Sequence, residues 1–402
     1  MKVLHIFNSH RHGGGSDNAW ADTIRLSRAN GMEIEVFSRT SKSLSPTLRD
    51  KASAALSGIY APGAVHAAAE AVTRYNPDLV HTHELYPLIS PFVLKRVARM
   101  GIPIVHTCYD YRLTCPVATH YQHGAICHRC MGGREYWAVL NDCRDNRAES
   151  IAYAIRNAVA RRFDLFRRYV SEFIVLTEFS RQWLIRELGI EPGRVTVNHC
   201  AIEIPATPAD PGQGQYIAYA GRFVVEKGVE LLVEAARRTG LPVRLAGNAE
   251  THPAIRPGDP VECVLTPTRE DLTRFYREAR LLVVPSLWYE TFGIVAAEAM
   301  PRATMIDEMM SLGRPAGCVL RILKFRRRFF RPYRFDTSSG KVAFRDISIL
   351  FFFIPAGEPL SRIFQRICRE RPSRPFQKSG RSYRCPDKFR ARSRVAFRPG
   401  RR

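Results

Sequence analysis

The sequence predicts an α/β protein made of two successive domains, each built on a parallel sheet. Short apolar runs rich in β-branched residues alternate with segments of helical periodicity, and this alternation is typical of βαβ units. The alternation occurs twice, on either side of a stretch rich in Pro and Gly at 204–215. A chain of 402 residues is long enough for two domains of ordinary size, each with its own core.

The first predicted domain covers 1–203. An opening strand at 3–7 is followed by a loop rich in Gly and His, and then by a helix at 18–29. Further strands are predicted at 33–39, 79–83, 103–108, 173–177 and 195–198, and further helices at 64–75, 87–100, 147–170 and 180–188. Residues 109–146 have no steady period and are rich in Cys, His and Gly.

The second predicted domain, 216–300, repeats the alternation over a shorter length. Strands are predicted at 216–220, 243–246, 261–265 and 281–285, and helices at 228–238 and 269–279. A last helix opens near Gly293, and Pro301 can end it after about two turns. The pattern stops there, so this domain is predicted to be truncated.

The tail, 301–402, differs from the rest of the chain in composition. It holds 26 Lys and Arg against 7 Asp and Glu, whereas 1–300 hold 35 against 31, so the net charge of +23 lies mostly in the tail. Three interpretations compete: a non-homologous, disordered terminus without a selected fold, a tail that binds nucleic acid, and a tail that lies on a membrane surface. The absence of a repeat or a recognisable motif favours the first, and no specific nucleic acid is expected as a partner.

Two segments of the second domain carry candidate chemistry. In YIAYAGRFVVEKGVE, 216–230, a strand ends at Gly221-Arg222 and a helix begins after Lys227. Two cations beside a helix N-terminus favour a diphosphate, although both could equally be solvated charges beside a turn. In LLVVPSLWYETFGIVAAEAM, 281–300, Glu290 follows a buried strand and Glu298 lies on the next helix. The two carboxylates suit sugar and ribose hydroxyls, because an ionised carboxylate only accepts hydrogen bonds.

Together the two segments resemble the donor domain of the retaining glycosyltransferase family 4, which has the GT-B fold of two facing Rossmann-like domains. The match comprises Gly221, Arg222, Glu226, Lys227 and Gly228, followed by Glu290, Phe292, Gly293 and Glu298. The resemblance implies that Arg222 and Lys227 hold the donor diphosphate, that Glu290 contacts the transferred sugar, and that Glu298 binds the ribose. The backbone at Phe292 and Gly293 is expected to face the donor as well.

The first domain resembles the acceptor domain of the same family, so that the similarity runs over roughly 1–300. The first strand and the glycines at 13–15 look like its glycine-rich loop, which implies that Gly14 and Gly15 approach the donor phosphate. His81 and His83, at the end of the third strand, are predicted to divide between the core and the cleft. Tyr109 and Asp110 occupy the place of a His-Asp pair in many relatives and are the catalytic candidates of this domain, together with Glu290.

The cysteines suggest a reduced, cytoplasmic protein, because the chain is large and five of its ten cysteines fall between 108 and 143. Cys115, Cys127, Cys130 and Cys143 could form a structural zinc site, with unliganded thiols as the alternative. No cofactor is expected for catalysis. The segment 156–170 mixes basic and aromatic residues, so it is either an ordinary packed helix or a peripheral contact with the inner face of the plasma membrane.

The sequence therefore predicts a cytoplasmic enzyme that moves a sugar from a nucleoside-diphosphate donor to a polysaccharide or lipid-linked acceptor with retention of configuration. The rival hypothesis is a catalytically impaired or frameshifted relic, whose basic tail binds nucleic acid or anionic membrane non-specifically.

Overall fold

A computed structural model describes residues 1–9, 14–41, 47–202, 213–247, 249–266 and 268–299. The predicted tail, most of the stretch rich in Pro and Gly at 204–215, which we interpret as a linker, and the proposed truncation after 300 lie outside these residues. Within the described residues, a six-stranded sheet is followed by a four-stranded one, and both are entirely parallel. The predicted α/β class with two parallel sheets is confirmed.

The first sheet has the strand order β2-β1-β3-β4-β7-β8. Its strands are β1 (Lys2–Ser9), β2 (Glu33–Thr40), β3 (Leu79–Thr82), β4 (Ile104–Cys108), β7 (Glu172–Val175) and β8 (Val195–Val197), and a small antiparallel hairpin adds β5 (Tyr121–Gln122) and β6 (Ala125–Ile126). The helices are α1 (Gly15–Ala29), α2 (Leu48–Ile59), α3 (Pro62–Tyr75), α4 (Phe92–Ala98), α5 (Trp137–Leu140), α6 (Arg147–Arg162), α7 (Leu165–Tyr169) and α8 (Glu178–Leu188).

The second sheet has the order β11-β10-β9-β12. Its elements are β9 (Tyr216–Ala220), α9 (Val229–Thr239), β10 (Val243–Ala246), β11 (Val261–Val264), α10 (Arg269–Arg277), β12 (Ala279–Leu282) and α11 (Ile294–Ala299). One apolar cluster packs on each face of this sheet, around Tyr276 on one side and Val229 on the other.

The strand orders locate the two places where ligands bind in open parallel sheets. The order reverses between β1 and β3 in the first sheet and between β9 and β12 in the second. At such a switch point the loops that follow the two strands diverge and leave a crevice at their carboxyl ends. The glycine-rich loop and the motif loops at 221–228 and 283–293 follow these strands.

The prediction of one long helix over 147–170 is wrong. The structure has α6 and α7 instead, separated by Phe163 and Asp164, and Asp164 has a left-handed backbone with φ of 51°. A left-handed residue cannot continue a right-handed helix, and Asp tolerates that conformation better than most residues. The helix predicted at 87–100 is also shorter, because α4 begins only after Pro91. Sequence periodicity missed α2, which Thr47 caps by accepting a hydrogen bond from the Asp50 amide.

Within the described part of the chain, no helix combines the length and the apolar character needed to cross a membrane.

Candidate active site

The loop from β9 to α9 presents two basic side chains at the carboxyl end of the second sheet. The Tyr219 hydroxyl donates to the Arg222 carbonyl at 2.8 Å and fixes the turn that follows Gly221. A 3-10 turn, Val225–Lys227, then leads into α9. The Arg222 side chain is exposed, and none of the carboxylates in the described residues forms an ion pair with it. One cation of the motif is therefore available to an anion in the crevice.

The second cation, Lys227, is paired with Glu290. Lys227 Nζ lies 2.6 Å from Glu290 Oε1, and the two side chains are 19% and 7% exposed. The same oxygen accepts from the Ser286 hydroxyl at 2.5 Å and from the Trp288 indole N–H at 3.1 Å. The ammonium also lies 5.0 Å from the centre of the Trp288 ring. Since all of these bonds go to Oε1, the carboxylate is held in place by one of its two oxygens.

Gly228 joins the two motif loops by close approach. A Cβ atom at this position would lie 2.2 Å from the Pro285 carbonyl oxygen, and the backbone has φ of 69°. Only glycine accepts both the contact and the left-handed conformation. The Leu287 amide donates to the Glu226 carbonyl at 2.8 Å, so the loops after β9 and β12 are hydrogen-bonded as well.

The loop after β12 ends in a left-handed glycine that starts α11. Gly293 has φ of 72°, and the preceding Phe292 is buried, with its ring 5.8 Å from that of His199 of the first domain. Further along α11, the Tyr276 hydroxyl donates to Glu298 Oε2 at 3.4 Å. The turn between the two motif carboxylates is therefore packed, while Glu298 is oriented by a tyrosine of α10.

The N-terminus of α1 lies against the start of α11. A Cβ atom on Gly15 would lie 3.8 Å from Ile294 Cγ2. Further along α1, buried Asp22 pairs with Arg269 of α10 at 2.6 Å. Gly15, at the end of the predicted glycine-rich loop, therefore lies next to the start of α11 in the second domain.

Tyr109 follows β4 and is the outer end of a chain of buried histidines. Its hydroxyl lies 3.0 Å from His83 Nδ1, and His83 Nε2 lies 2.9 Å from His5 Nδ1. His81 is close by, with Nε2 2.8 Å from the Thr107 hydroxyl. Burial lowers the pKa of all three histidines and raises the pKa of Tyr109. The group is consequently neutral at physiological pH, and Tyr109 keeps its proton.

The expected division between His81 and His83 is wrong, because both side chains are buried, 8% and 1% exposed. They point to the same face of the sheet, and α1 covers this face, where Phe7 stacks on Trp20. His5 was not singled out from the sequence. His5 lies opposite His81 in the β1–β3 pair and so joins His81 and His83. We call these three residues the histidine group.

Asp110 lies in an ion network of the first domain. Its two oxygens accept from the Arg112 amide at 2.9 Å and from the Arg112 guanidinium at 2.7 Å, while Glu84 binds the same guanidinium at 2.9 Å. Burial raises the pKa of Asp110 and Arg112 opposes that effect. Both oxygens are thus engaged by one neighbour, so this carboxylate positions the loop after β4.

Tyr289, next to Glu290, contacts four aromatic side chains of the first domain, and the sequence did not indicate it. The ring centres lie within 5.4–6.2 Å of Tyr289; the contacts are Tyr111, His128, Phe179 and Trp183. The loop that carries Glu290 is thereby packed against the Cys-rich segment.

Comparison with protein families gives one match for each of the two domains. Residues 13–204 match the model described as Glycosyltransferase Family 4, and residues 214–306 match the model described as Glycosyl transferases group 1. The chain belongs to glycosyltransferase family 4. The two parallel sheets are the cores of the two Rossmann-like domains that the GT-B fold contains.

Curated relatives of this family-4 chain include D-inositol 3-phosphate glycosyltransferases of Mycobacterium sp. strains JLS and KMS. Each is 29% identical over 157 residues, which cover 33% of this chain and 36% of the relative. The match thus spans about a third of the length of these relatives. Among solved structures, Anabaena HepE in complex with UDP is similar, with 15% identity, a TM-score of 0.44, and 76% and 79% of the two chains covered. A glycosyltransferase of avilamycin A biosynthesis has 15% identity, a TM-score of 0.38 and coverages of 76% and 77%.

Proposed function

We propose that this family-4 chain transfers a sugar from a nucleoside-diphosphate sugar to an acceptor hydroxyl with retention of configuration. The observation that carries the proposal is the arrangement of Arg222 and the Lys227–Glu290 pair at the switch point of the second sheet. It offers two cations to a diphosphate and, 2.6 Å from one of them, a carboxylate to a sugar.

The exposed guanidinium of Arg222 binds the diphosphate first, as a charge-assisted partner that needs no rearrangement. Lys227 then exchanges part of its contact with Glu290 for a phosphate oxygen. Glu290 stays in place during this exchange, because Ser286 and Trp288 continue to donate to it. Both cations stabilise the negative charge that builds up on the leaving diphosphate.

Glu290 then accepts hydrogen bonds from hydroxyls of the transferred sugar, and Glu298 accepts them from the ribose. The bond from the sugar C1 to the phosphate oxygen breaks, and C1 bonds to the acceptor oxygen on the same face. The acceptor proton passes to the departing phosphate oxygen. Burial raises the pKa of Tyr109, so its hydroxyl stays protonated. Tyr109 therefore serves as a neutral hydrogen-bonding group on the acceptor side.

For the acceptor we propose a glycan, with a lipid-linked one favoured by an exposed surface of the first domain. This surface, the aromatic–basic face, comprises Tyr60, Phe92, Phe163 and the exposed Arg162 that precedes Phe163 in the chain. Phe163 and Tyr60 are each 51% exposed, and their rings lie 5.6 Å and 5.0 Å from that of Phe92. Exposed aromatic rings with neighbouring cations complement an anionic membrane.

Only part of the segment 156–170 can take part in such a contact. Arg156 is buried, with its guanidinium 4.3 Å and 3.8 Å from the rings of Tyr86 and Tyr153, and it donates to the Pro116 carbonyl at 2.9 Å. Leu165 is buried as well. The membrane contact is therefore assigned to the break between α6 and α7 rather than to a continuous helix.

Co-sedimentation of the full chain with vesicles tests the membrane contact. Binding to phosphatidylglycerol vesicles is expected, with weak binding to phosphatidylcholine, and Phe163→Ala/Arg162→Ala is expected to reduce it. Because the tail is basic, the decisive comparison is with Arg277→Ala, an exposed arginine of α10. Equal binding by both variants would contradict the assignment to this face.

Transfer itself is tested by incubating the chain with UDP- and GDP-sugars and a lipid-linked acceptor, followed by NMR of the glycosidic bond formed. The expected product has the anomeric configuration of the donor. An inverted product would contradict retention, and the absence of transfer from every donor, with folded protein, would contradict the proposed activity.

A further inference from the structure

Tyr109 and two members of the histidine group form one hydrogen-bonded chain that runs from the loop after β4 into the first sheet. The Tyr109 hydroxyl lies 3.0 Å from His83 Nδ1, and His83 Nε2 lies 2.9 Å from His5 Nδ1. Successive rings are nearly parallel, at 18° for Tyr109 and His83 and at 12° for His83 and His5. Both histidines are 1% exposed, whereas Tyr109 is half-buried, so a substrate can reach the chain at the tyrosine.

The protons of this chain can be arranged in two ways. Burial lowers the pKa of both histidines, so each is a neutral imidazole with one N–H donor and one bare nitrogen that accepts. If Tyr109 donates to His83 Nδ1, then His83 Nε2 carries the proton and donates to His5 Nδ1. If His83 donates from Nδ1 to the Tyr109 oxygen, then its Nε2 accepts from His5. The direction of the bond at Tyr109 therefore fixes the tautomers of both histidines.

Acid–base strength favours the arrangement in which Tyr109 donates. A phenol O–H is a stronger acid than the N–H of a neutral imidazole, and a bare imidazole nitrogen is a stronger base than a phenol oxygen. The O–H···N bond is consequently stronger than the reverse N–H···O bond, and the low dielectric of a buried site increases the difference. The bond between His83 and His5 joins two imidazoles in either direction, so the choice depends on the link to Tyr109.

We propose that His83, which His5 holds in the required tautomer, accepts the Tyr109 proton and so presents the Tyr109 oxygen to the substrate as a hydrogen-bond acceptor. The oxygen binds a hydroxyl of the acceptor other than the attacking one, whose proton passes to the departing phosphate. The arrangement thus selects acceptors with a hydrogen-bond donor beside the attacking hydroxyl. His83 and His5 are positioning residues, because they contact Tyr109 rather than the substrate. The inference rests on the proposed function, which places Tyr109 on the acceptor side.

Thr23 offers Tyr109 a second partner, which would reverse the chain. The Thr23 hydroxyl also lies within hydrogen-bonding reach of Tyr109. It donates its own proton to the Ala19 carbonyl at 2.7 Å, so toward Tyr109 it can only accept. A hydroxyl oxygen is a weaker base than an imidazole nitrogen, and we therefore assign the Tyr109 proton to His83.

The histidine group also has the spacing of a metal site. One ligand nitrogen from each of His5, His81 and His83 lies within 4.8 Å of the others. Among the described residues, the sulfurs of four cysteines are not gathered in this way: Cys115, Cys127, Cys130 and Cys143. The histidine nitrogens are already engaged with one another, with Thr107 and with Tyr109. An ion on His83 Nε2 would force the His83 proton onto Nδ1, so the tautomer of His83 also separates the proton chain from a metal site.

NMR of the full chain with ¹⁵N-labelled histidine tests the direction of the chain without any substrate. Long-range proton–nitrogen spectra show which nitrogen of a neutral imidazole carries the proton. We expect His83 and His5 to be protonated at Nε2 and bare at Nδ1, with the signals assigned by His83→Asn and His5→Asn. His66, whose side chain is 73% exposed, is the internal control and should show both tautomers in exchange. A His83 protonated at Nδ1 would overturn the proposal.

Two substitutions at His83 separate positioning from packing. In His83→Asn the side-chain oxygen takes the place of Nδ1 and still accepts from Tyr109, whereas in His83→Gln the amide reaches the place of Nε2 and leaves Tyr109 without its acceptor. We expect kcat/KM for the acceptor to fall about tenfold in His83→Gln, the value of one hydrogen bond, and less than about threefold in His83→Asn. In the Tyr109→Phe background, His83→Gln should cause no further fall. Equal losses in the two single variants, or a further fall in the double variant, would contradict the positioning role.

Calorimetric titration with UDP and GDP distinguishes failure of this inference from failure of the proposed function. The His83 variants should bind nucleotide as the wild type does, because the motif residues of the second domain are unchanged. A chain that binds nucleotide and transfers sugar, but has His83 protonated at Nδ1, contradicts this inference alone. A folded chain that transfers no sugar contradicts the proposed function, while an Nε2-protonated His83 in the same chain still supports the direction of the hydrogen bonds.

Discussion

Lys227 Nζ and Glu290 Oε1, 63 positions apart in the chain, lie 2.6 Å from each other at the switch point of the second sheet. Lys227, which the family resemblance assigned to phosphate, and Glu290, which it assigned to the sugar, therefore form one ion pair. The ion pair holds both side chains in position in the crevice. It also predicts that the two residues depend on each other energetically.

A double-mutant cycle measures this dependence. Lys227→Met leaves a 7% exposed carboxylate without its cation, so we expect it to lower the free energy of unfolding by about 2 kcal/mol. Lys227→Met/Glu290→Gln should recover part of that loss, since no buried charge is left unpaired. Urea denaturation of the four proteins gives the coupling, and strictly additive effects would show that the pair contributes nothing.

Gly228 is predicted to be intolerant of any side chain. Gly228→Ala should destabilise the protein by about 3 kcal/mol, because a left-handed alanine costs about 1 kcal/mol and the clash with the Pro285 carbonyl adds about 2 kcal/mol. Gly240→Ala is the matched control: its φ is 68°, almost the same, and a Cβ there would meet nothing within 4 Å. Equal losses in urea denaturation would refute the close approach of the two motif loops.

The motif loops that carry Lys227 and Glu290 also show what the sequence could and could not predict. Strand–helix alternation and the motif spacing were enough for the two sheets and for the loops that carry Arg222, Lys227 and Glu290. The pairing of Lys227 with Glu290 was not foreseeable from either motif, because it depends on β9 and β12 being neighbours in the sheet. Asp164 likewise shows why the predicted helix at 147–170 was too long. The helical periodicity of the sequence continues through Asp164, although its left-handed backbone separates α6 from α7.

The histidine group illustrates a different limit. Alternation places His81 and His83 on one face of β3. That face is buried rather than exposed to solvent because α1 packs on it through Trp20. Their burial therefore depends on tertiary contacts that no local pattern contains.

Stability should fall on mild acidification because of buried neutral histidines. Burial lowers the pKa of His5 and of His106 to about 4, against about 6.5 when unfolded. Between these values the unfolded chain binds more protons, so the free energy of unfolding decreases as the pH falls from 6.5 to 4. Each group contributes up to about 3 kcal/mol.

Urea denaturation at several pH values tests this expectation. His106→Asn should reduce the slope between pH 6.5 and 4, whereas His66→Asn, which changes an exposed side chain, should leave it unchanged. A slope that is the same in all three proteins would refute the assignment to buried histidines.

Tyr109→Phe is expected to lower transfer in a protein that still folds, with a loss of stability of about 1–3 kcal/mol because His83 Nδ1 loses its hydroxyl partner. The ring stacks on His83, 5.9 Å between centres, and phenylalanine preserves that contact while it removes the hydroxyl. We expect kcat/KM to fall about tenfold, the value of one hydrogen bond of about 1.4 kcal/mol, with nucleotide affinity unchanged. Steady-state kinetics with a radiolabelled donor provides the measurement, and a loss of nucleotide affinity instead would move Tyr109 from the acceptor side to the donor site.

The donor site is the centre of this account, and calorimetric titration of the full chain with UDP and GDP tests it most directly. We predict that at least one nucleotide binds and that Arg222→Ala/Lys227→Ala weakens its affinity about a hundredfold, since two charge-assisted contacts of about 1.4 kcal/mol each are removed. Arg277→Ala, the exposed control in the same domain, should bind as the wild type does. Failure of the folded chain to bind either nucleotide, or equal binding by the double variant, would contradict the assignment of this crevice to a nucleoside diphosphate.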